Sequence, residues 1–332
     1  MNIGKVTGNA LKRSVLKPIE NRRDEVICGA GVGADCAIFA VPERNFAASC
    51  VQEAAVAGKA DMGRLIGRCA NSLAAAGGSP IAAMISLALP ESAEESQLKE
   101  LMVAAEAACK QLNMQIVGGH TTVSRAVNCA FATVTVYGAV PTDRKKAEVT
   151  QKAAPGQDVV ISKWIGLEGT ALLAAKYKDS LLTRYPAYLV EEAEGFLRYL
   201  SVIPEAAVAV KSGVCAMHDA SEGGILAALW ELAERSGVGL TIDLKKLPIR
   251  QETVEICEHT GANPYILLSG GSLIMTTEDG QGLVQALKDA HIPAVIVGKI
   301  TDSKDRLILN DEEVRYMDRP AVDDIYLRMD QE

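Results

Sequence analysis

The spacing of hydrophobic positions in the N-terminal part of the chain predicts helices alternating with strands. Met62, Leu65, Ile66, Cys69 and Leu73 recur at helical spacing, which predicts a helix that ends at the glycines 77 and 78. A helix predicted over 92–111 has one apolar side, formed by Leu98, Leu101, Met102, Ala105 and Cys109. The same criteria predict a helix over 9–19 and strands over 25–28, 36–41, 45–51, 81–89, 114–117 and 128–140.

The C-terminal half shows the same alternation after a polar, turn-forming stretch at 141–146. Helices are predicted over 169–177, 187–200, 204–211, 221–236 and 281–290, and strands over 158–162, 240–242, 272–276 and 294–300. Such alternation is typical of helices packed on a sheet. We therefore expect two α/β domains in series, over 1–150 and 151–332.

Composition and charge exclude several classes of protein. The chain has 332 residues and a formal net charge of −8, which disfavours nucleic acid or a membrane surface as the main partner. No stretch reaches the ~18 apolar residues of a spanning helix, and the N-terminus lacks the pattern of a secretory signal, so we expect a cytoplasmic protein. The eight cysteines include no CxxC pair, which argues against a zinc ribbon or a thioredoxin-type site.

A glycine-rich segment at 29–37 is the first candidate for chemistry. Gly31 and Gly33 would let backbone N–H groups approach an anion, and Asp35 could meet a cation or a hydroxyl. The segment lacks the Gly-Lys-Ser/Thr end of a Walker loop, and a predicted strand rather than a helix follows it. A structural turn and a phosphate loop both remain open.

Two further glycine pairs lie at predicted element ends. Gly118 and Gly119 precede His120 and Thr121, groups suited to phosphate oxygens, although a hairpin turn would also explain them. Segment 218–224, His-Asp-Ala-Ser-Glu-Gly-Gly, precedes a predicted long helix, with its serine as a candidate N-cap. Capping does not explain a glycine pair inside the first turn, so we expect close backbone approach there, by a ligand or by another strand.

Taken together, the segments resemble a known superfamily. The residues that carry the resemblance are 61–65 with 70–71, 118–121, 218–224, and 254–258 followed by Asn263, Pro264 and Tyr265. In this order they are similar to the superfamily of aminoimidazole ribonucleotide (AIR) synthetase, the PurM-like proteins, and in particular to its HypE-like branch of hydrogenase expression/formation proteins. The resemblance spans nearly the whole chain.

The resemblance implies a two-domain PurM-like fold. The N-terminal β-sheet domains of two subunits would form a dimeric barrel-like core, beside an α/β C-terminal domain. ATP would lie in the cleft between the domains, with Mg²⁺, and would phosphorylate a carbonyl or similar oxygen of a small-molecule substrate, as in an ATP-dependent dehydratase, ligase or kinase-like enzyme. The roles it implies are catalysis by Asp219 and His120, metal binding by Asp35 and Asp219, and nucleotide binding by Gly31, Gly33, Asp35, Asn71, Gly118, Gly119, Thr121, Gly223 and Gly224.

Departures from the family pattern are concentrated among its acidic residues. Ala34, Gln52 and Ser72 stand where the family usually carries acidic side chains, which predicts weakened Mg-ATP catalysis. Glu53 would face away from Gln52 unless a bulge re-aims it, and Asp61 is expected to cap its helix.

A second departure is at the C-terminus, which lacks the terminal cysteine of the hydrogenase-maturation enzymes. The alternative function is therefore a non-catalytic paralogue acting as a dimeric scaffold, sensor or partner protein. For Cys50, which lies beside the replaced acidic position, packing is favoured over a reactive thiol because no base adjoins it in the sequence.

Overall fold

The computed structural model describes residues 4–5, 8–31, 38–41, 43, 45–141, 152–319 and 322–329. The chain divides into two compact units, one of Met1–Ala74 with Gly78–Asp143 and one of Arg144–Glu332 with Ala75–Gly77. Each unit combines helices with a sheet, which confirms the predicted α/β class. A domain boundary at residue 150 stays a prediction, because 142–151 lie outside the described residues.

The N-terminal unit is built on an open five-stranded sheet. Its order is β1-β6-β5-β7-β4, with β1 and β4 at the edges, so the described sheet is not a closed barrel. Only the β5–β6 pairing within it is parallel. The elements are β1 (Gly4–Lys5), α1 (Gly8–Ala10) continued by π-helical turns (Leu11–Leu16), β2 (Val26–Cys28), β3 (Ile38–Phe39), β4 (Asn45–Ala55), α2 (Lys59–Ala75), β5 (Ser79–Leu89), α3 (Glu95–Gln111), β6 (Gln115–Val123) and β7 (Phe131–Pro141).

The two faces of this sheet differ in what covers them. Along β4 exposure alternates, so that Cys50 and Gln52 are half-buried while Val51 and Glu53 are exposed. The Cys50 thiol contacts Cys69 of α2, which places the helix on the Cys50 side. Because directly paired residues share a face, the opposite side, called the open face here, can be followed across the sheet. It carries Val51, Glu53, Met84, Ser86, His120, Thr133 and Thr135.

Strand β6 is longer than its sequence predicts. The glycines at 118 and 119 were expected to end it, yet pairing with β5 continues to Val123. The register shifts by one residue at the step from Ala83 to Met84, which is a bulge. Gly119 has φ +149°, and a Cβ built there would overlap the carbonyl oxygen of Ile85. Gly119 therefore lets the strand continue past this close backbone approach rather than turn.

The C-terminal unit is a seven-stranded sheet in the order β14-β13-β10-β12-β8-β11-β9. Helix α8 (Gly224–Ser236) packs its apolar side onto this sheet, with Ile225 and Leu229 in one buried cluster with Ile161 and Ile274. The elements are β8 (Asp158–Ser162), α4 (Leu167–Lys176), α5 (Lys178–Arg184), α6 (Ala187–Glu194) with a 3₁₀ turn (Gly195–Tyr199), α7 (Ile203–Lys211), β9 (Ala216–Asp219), α8 (Gly224–Ser236), β10 (Gly239–Asp243) with a 3₁₀ turn (Leu244–Lys246), α9 (Gln251–Thr260), β11 (Leu273–Thr277), α10 (Gly280–Asp289), β12 (Ala294–Thr301), β13 (Arg306–Asn310), β14 (Glu313–Tyr316) and α11 (Asp324–Met329).

Candidate functional site

His120 and Thr121 project from opposite sides of the N-terminal sheet. His120 is exposed and pairs with Ser86, whereas Thr121 is 6% exposed and pairs with Leu87. Their separation follows from the uninterrupted strand, because successive side chains of a strand point to opposite faces. The sequence places two phosphate-binding candidates together, and the structure divides them between the open face and the covered face.

A polar row crosses the open face at the level of His120. Ser86 of β5 pairs with Thr133 of β7, which in turn pairs with Glu53 of β4. Since neighbouring strands lie ~4.8 Å apart, Glu53 is roughly 14 Å from His120 along this row. Nothing in the sequence marks Ser86 or Thr133, because only strand pairing brings them beside the histidine.

The pairing of β4 with β7 runs without a register shift from Asn45 to Ala55. No bulge therefore re-aims Glu53, and its carboxylate remains on the face opposite to Gln52. The prediction that Glu53 faces away is confirmed. The covered side of β4 presents a thiol and an amide at Cys50 and Gln52.

Helix α2 contributes two of the candidate residues. Asp61 accepts hydrogen bonds from the backbone N–H groups of Ala57 (2.8 Å) and Gly58 (3.0 Å) and from the Arg64 guanidinium (2.6 Å). It thereby satisfies N–H groups that a helix N-terminus leaves unpaired, which confirms the capping prediction. Asn71 is only 3% exposed on the same helix, and the Ser72 hydroxyl donates to the carbonyl of Arg68 at 3.3 Å.

A cavity of about 330 Å³ lies at the start of the glycine-rich segment. Arg22, Arg23, Gly29, Ala30 and Gln115 are among its lining residues. Gly31 is described and exposed, while Gly33, Ala34 and Asp35 lie outside the described residues. Neither arginine belongs to a motif that the sequence makes visible.

Arg23, which lines this cavity, is already hydrogen-bonded to other residues of the chain. Its guanidinium donates to Glu25 at 2.6 and 3.0 Å and to the carbonyl of Asn113 at 2.6 Å. The hydrogen bonds between Arg23 and Glu25 raise the pKa of the arginine and lower the pKa of the carboxyl. Arg22 donates from one nitrogen, Nη1, to the carbonyls of Ile19 (2.9 Å) and Asn21 (2.8 Å) and is otherwise exposed.

In the C-terminal unit, Asp219 ends strand β9. It pairs with Leu273 and is half-buried. The neighbouring His218 places its Nε2 2.9 Å from the carboxylate Oε2 of Glu231 on α8. The end of β9 is thus joined by a side-chain bridge to the middle of helix α8.

The glycine pair after Asp219 lies in a left-handed turn. Gly223 and Gly224 have φ of +77° and +70°, and helix α8 begins at Gly224, so the prediction of a start capped by Ser221 is wrong. A Cβ at Gly224 would lie 2.6 Å from the carbonyl oxygen of Tyr265. The expected close backbone approach is therefore made by the chain's own segment around Tyr265, which also accepts from the N–H of Leu226 at 3.2 Å.

A buried carboxylate completes this turn. Asp323 accepts from the N–H groups of Gly223 (2.7 Å), Leu268 (3.1 Å) and Ile325 (2.8 Å). Burial raises the pKa of Asp323, and the three hydrogen bonds act in the opposite direction. The N–H of Gly223 thus binds a carboxylate one hundred residues away along the chain.

A second cavity, of about 190 Å³, adjoins the same turn. Gly223, Asn263, Arg315, Tyr316 and Arg319 are among the residues that line it. Guanidinium groups beside a helix N-terminus are suited to anionic oxygens. Both arginines follow strand β13, an element that the sequence did not predict.

Among the described residues there is no group of three His, Cys, Asp or Glu side chains placed to hold a metal ion. Asp35, one of the two predicted ligands, is outside that set. In the part of the chain that the structure describes, no helix is long and apolar enough to cross a membrane.

Family models identify the class of protein to which this two-unit α/β fold belongs. The model of the AIR synthase related protein N-terminal domain matches residues 19–140, and that of the corresponding C-terminal domain matches 154–310. The chain belongs to the AIR synthase related, or PurM-like, family, as the sequence motifs predicted.

Within this family the curated relatives support the HypE-like branch. A hydrogenase expression/formation protein of Methanocaldococcus jannaschii is 28% identical over 254 residues, covering 75% of this chain and 73% of that protein. Carbamoyl dehydratase HypE of Rhodobacter capsulatus is 28% identical over 213 residues, covering 64% of this chain. The match spans 60% of the length of that HypE, less than two thirds of it.

Solved structures show the same fold over nearly the whole chain. Escherichia coli HypE superimposes with a TM-score of 0.77 at 18% identity, covering 95% of this chain and 98% of that one. A HypE structure in complex with ATP gives 0.76 at 17% identity, covering 96% of each chain. A HypE–HypF complex gives 0.65 at 21% identity, covering 85% of this chain and 92% of that chain.

Proposed function

We propose that this protein is a HypE-like nucleotide-binding protein that binds ATP and transfers its phosphoryl group to an oxygen of a small molecule with weakened magnesium-dependent catalysis. Membership of the AIR synthase related family supports nucleotide binding, as does the ATP complex of a HypE with the same fold. The proposal keeps Asp219 and His120 as the residues on which phosphoryl transfer depends.

The proposal of weakened catalysis is supported by one observation, the side-chain pattern of β4. Gln52 lies on the covered side of an unbroken strand, and Glu53 lies on the open face. Bringing Glu53 to the covered side would require a shift of β4 by one residue. Such a shift would move every other side chain of the strand to the opposite face. The position that carries an acidic residue in the family resemblance holds an uncharged amide here.

This pattern bears directly on magnesium. Mg²⁺ requires near-octahedral oxygen ligation and is held through carboxylates together with substrate phosphates. Weakened magnesium binding is supported by the uncharged groups at the departing positions, an amide at Gln52 on the covered side of β4 and a hydroxyl at Ser72 on α2. Nucleotide binding would then depend on backbone N–H groups of the glycine-rich segment and on cationic side chains such as Arg22.

Isothermal titration of the full chain with ATP, with and without Mg²⁺, tests the proposal. We expect binding at or below millimolar ATP, with an affinity that Mg²⁺ changes little. In Gln52→Asp the affinity should become dependent on Mg²⁺, whereas Glu53→Gln, which changes a carboxylate on the other face, should behave as the wild type. Absence of binding at millimolar ATP would contradict the proposal.

Measurement of ATP hydrolysis distinguishes the proposed catalyst from the alternative function, a non-catalytic scaffold. Slow ATP hydrolysis that disappears in Asp219→Asn and in Asp35→Asn excludes the scaffold. Binding without any hydrolysis, unchanged by either substitution, supports the scaffold and removes the catalytic part of the proposal.

We also infer a homodimer formed through the N-terminal sheet. The open face exposes the large apolar side chain of Val51 to 60%, on the side of β4 opposite to helix α2. Sedimentation of the purified protein is expected to give a dimer, and Val51→Glu should shift it toward the monomer. A monomeric wild type at micromolar concentration would contradict this inference.

A further inference from the structure

Two cysteines of the N-terminal unit face each other across the boundary between β4 and α2. The Sγ atoms of Cys50 and Cys69 are 3.5 Å apart. The Cys50 thiol donates to the carbonyl of Cys69 at 2.9 Å, and the Cys69 thiol lies 3.4 Å from the carbonyl of Cys50. Each cysteine thus contacts both the backbone and the sulfur of the other.

The two thiols differ in access to solvent. Cys50 is half-buried, whereas Cys69 has no exposed surface. Of the two residues, Cys50 is therefore the one with access to solvent. The hydrogen bond with Cys50, together with burial, raises the pKa of the Cys69 thiol, so this group keeps its proton at neutral pH.

We propose that Cys50 and Cys69 are a redox-active pair that a hydroperoxide converts to a reversible disulfide between β4 and α2. In the first step Cys50 loses its proton to solvent and the resulting thiolate attacks the peroxide; the O–O bond breaks, Cys50 becomes a sulfenic acid, and the departing hydroxide takes up a proton to form water. In the second step the Cys69 sulfur attacks the sulfenic sulfur, the S–O bond breaks, and the departing hydroxyl takes the Cys69 proton to form water. Two thiols are oxidised and one peroxide is reduced.

The geometry requires a small displacement. A disulfide has an S–S length of ~2.05 Å, so the sulfurs must approach by roughly 1.5 Å from their present separation. The product would tie an edge strand, which pairs with β7 on one side, to the helix that carries Asn71. Reduction by a dithiol would restore both thiols.

Other cysteines provide internal comparisons. Cys109 and Cys257 are buried, and burial raises the pKa of each thiol to about 12. Cys129 is exposed. We expect neither the inert buried thiols nor the exposed one to form the linkage.

Peptide mapping of the full-length wild type tests the pair without any substitution. Trypsin places Cys50 in peptide 45–59, Cys69 in 69–99 and Cys109 in 100–110, so each sulfur is on a separate fragment. After treatment with hydrogen peroxide and blocking of remaining thiols, we expect peptides 45–59 and 69–99 linked with the loss of two hydrogen atoms. Dithiothreitol should abolish the linked species.

Two variants sharpen the assignment. Cys129→Ser should form the linkage as the wild type does, and Cys50→Ser should leave Cys69 unmodified. Over-oxidation of Cys50 to sulfinic acid with Cys69 still reduced would overturn the proposal, as would linkage of Cys50 to any other cysteine. The outcome is independent of nucleotide binding, so it stands or falls separately from the proposed function.

Discussion

The two glycine pairs, one in each unit, have the same appearance in the sequence and different structural roles. Gly118-Gly119 lies within a continuous strand, where the backbone of β5 approaches it across a bulge. Gly223-Gly224 lies at the start of α8, where the Tyr265 segment and the Asp323 carboxylate close on it. A glycine pair therefore indicates that something approaches the backbone, but it does not identify what approaches.

The comparison also bears on ligand binding. At Gly224 the space next to the backbone is already filled by protein, and at Gly223 the N–H is already bonded. At Gly118 a Cβ would meet only the terminal methyl of Met84, at 3.6 Å. Gly118 therefore leaves more room beside the backbone than Gly119 or Gly224 does.

The largest expected effect is that of Gly119→Ala. Its Cβ would overlap the Ile85 carbonyl at a positive φ, so we expect a loss of ~3 kcal/mol or more in the free energy of unfolding. Gly118→Ala is the matched control and should change stability by less than ~1 kcal/mol. Urea denaturation of both variants checks this, and equal losses would show that the two glycines are not distinguished by backbone approach.

A smaller effect is expected for Gly224→Ala. The positive φ and the Tyr265 carbonyl oxygen, 2.6 Å from a built Cβ, both disfavour a side chain at this position. We therefore expect the free energy of unfolding to fall by ~2 kcal/mol. Gly213 has nearly the same φ, +72°, with no atom within 4 Å of a built Cβ. Gly213→Ala should therefore lower the free energy of unfolding by only ~1 kcal/mol. Thermal unfolding of both variants separates the effect of the positive φ from the effect of the steric clash. An equal loss in both would remove the packing argument.

The raised pKa of Asp323 predicts that its contribution to stability is lost as the pH rises. Because burial raises its pKa, the folded chain holds this proton more tightly than the unfolded chain does. The stability that the protonated carboxyl contributes is present below the ordinary aspartate pKa and is lost as pH rises through the raised value. Denaturant titrations of wild type and Asp323→Asn should differ in slope there, with the variant flatter. A wild-type stability that rises more steeply with pH than the variant's would contradict the sign.

Glu95 of the N-terminal unit predicts the opposite sign with the smallest effect. Hydrogen bonds from Arg13 and Ser14 lower the pKa of this half-buried carboxyl from 4.5 to about 2. Its contribution is present above the unfolded pKa and is lost as pH falls through the folded one, between about 4.5 and 2. Carboxyl NMR should find Glu95 ionised at a pH midway through this window. In Arg13→Ala the midpoint should return toward the ordinary range, and an unmoved midpoint would reject the assignment.

Local patterns predicted most of the fold. The apolar side predicted for α3 is buried as expected, and Asp61 caps α2 because its partners are only three and four residues away. The predicted end of β6 was wrong because glycine signals a turn and a bulge equally. The elements α5, α9, β13, β14 and α11 were not predicted.

The site was less predictable than the elements. The division of His120 from Thr121 depends on whether β6 continues, and the glycine segment gives no sign of this. The bond between Gly223 and Asp323, and the facing of Cys50 and Cys69, join residues that are distant in the chain. Such contacts follow from tertiary packing, which a single sequence does not encode in any local pattern.

The central claim is that an uncharged Gln52 on the covered side of β4 limits magnesium-dependent catalysis. Steady-state ATP hydrolysis by wild type and Gln52→Asp, measured across Mg²⁺ concentrations with Glu53→Gln as the control, tests it most directly. The account predicts roughly tenfold faster magnesium-dependent turnover in Gln52→Asp, equivalent to ~1.4 kcal/mol of the activation barrier, and no change in the control. A wild type that already hydrolyses ATP with Mg²⁺ as fast as Gln52→Asp does, or faster, would contradict it.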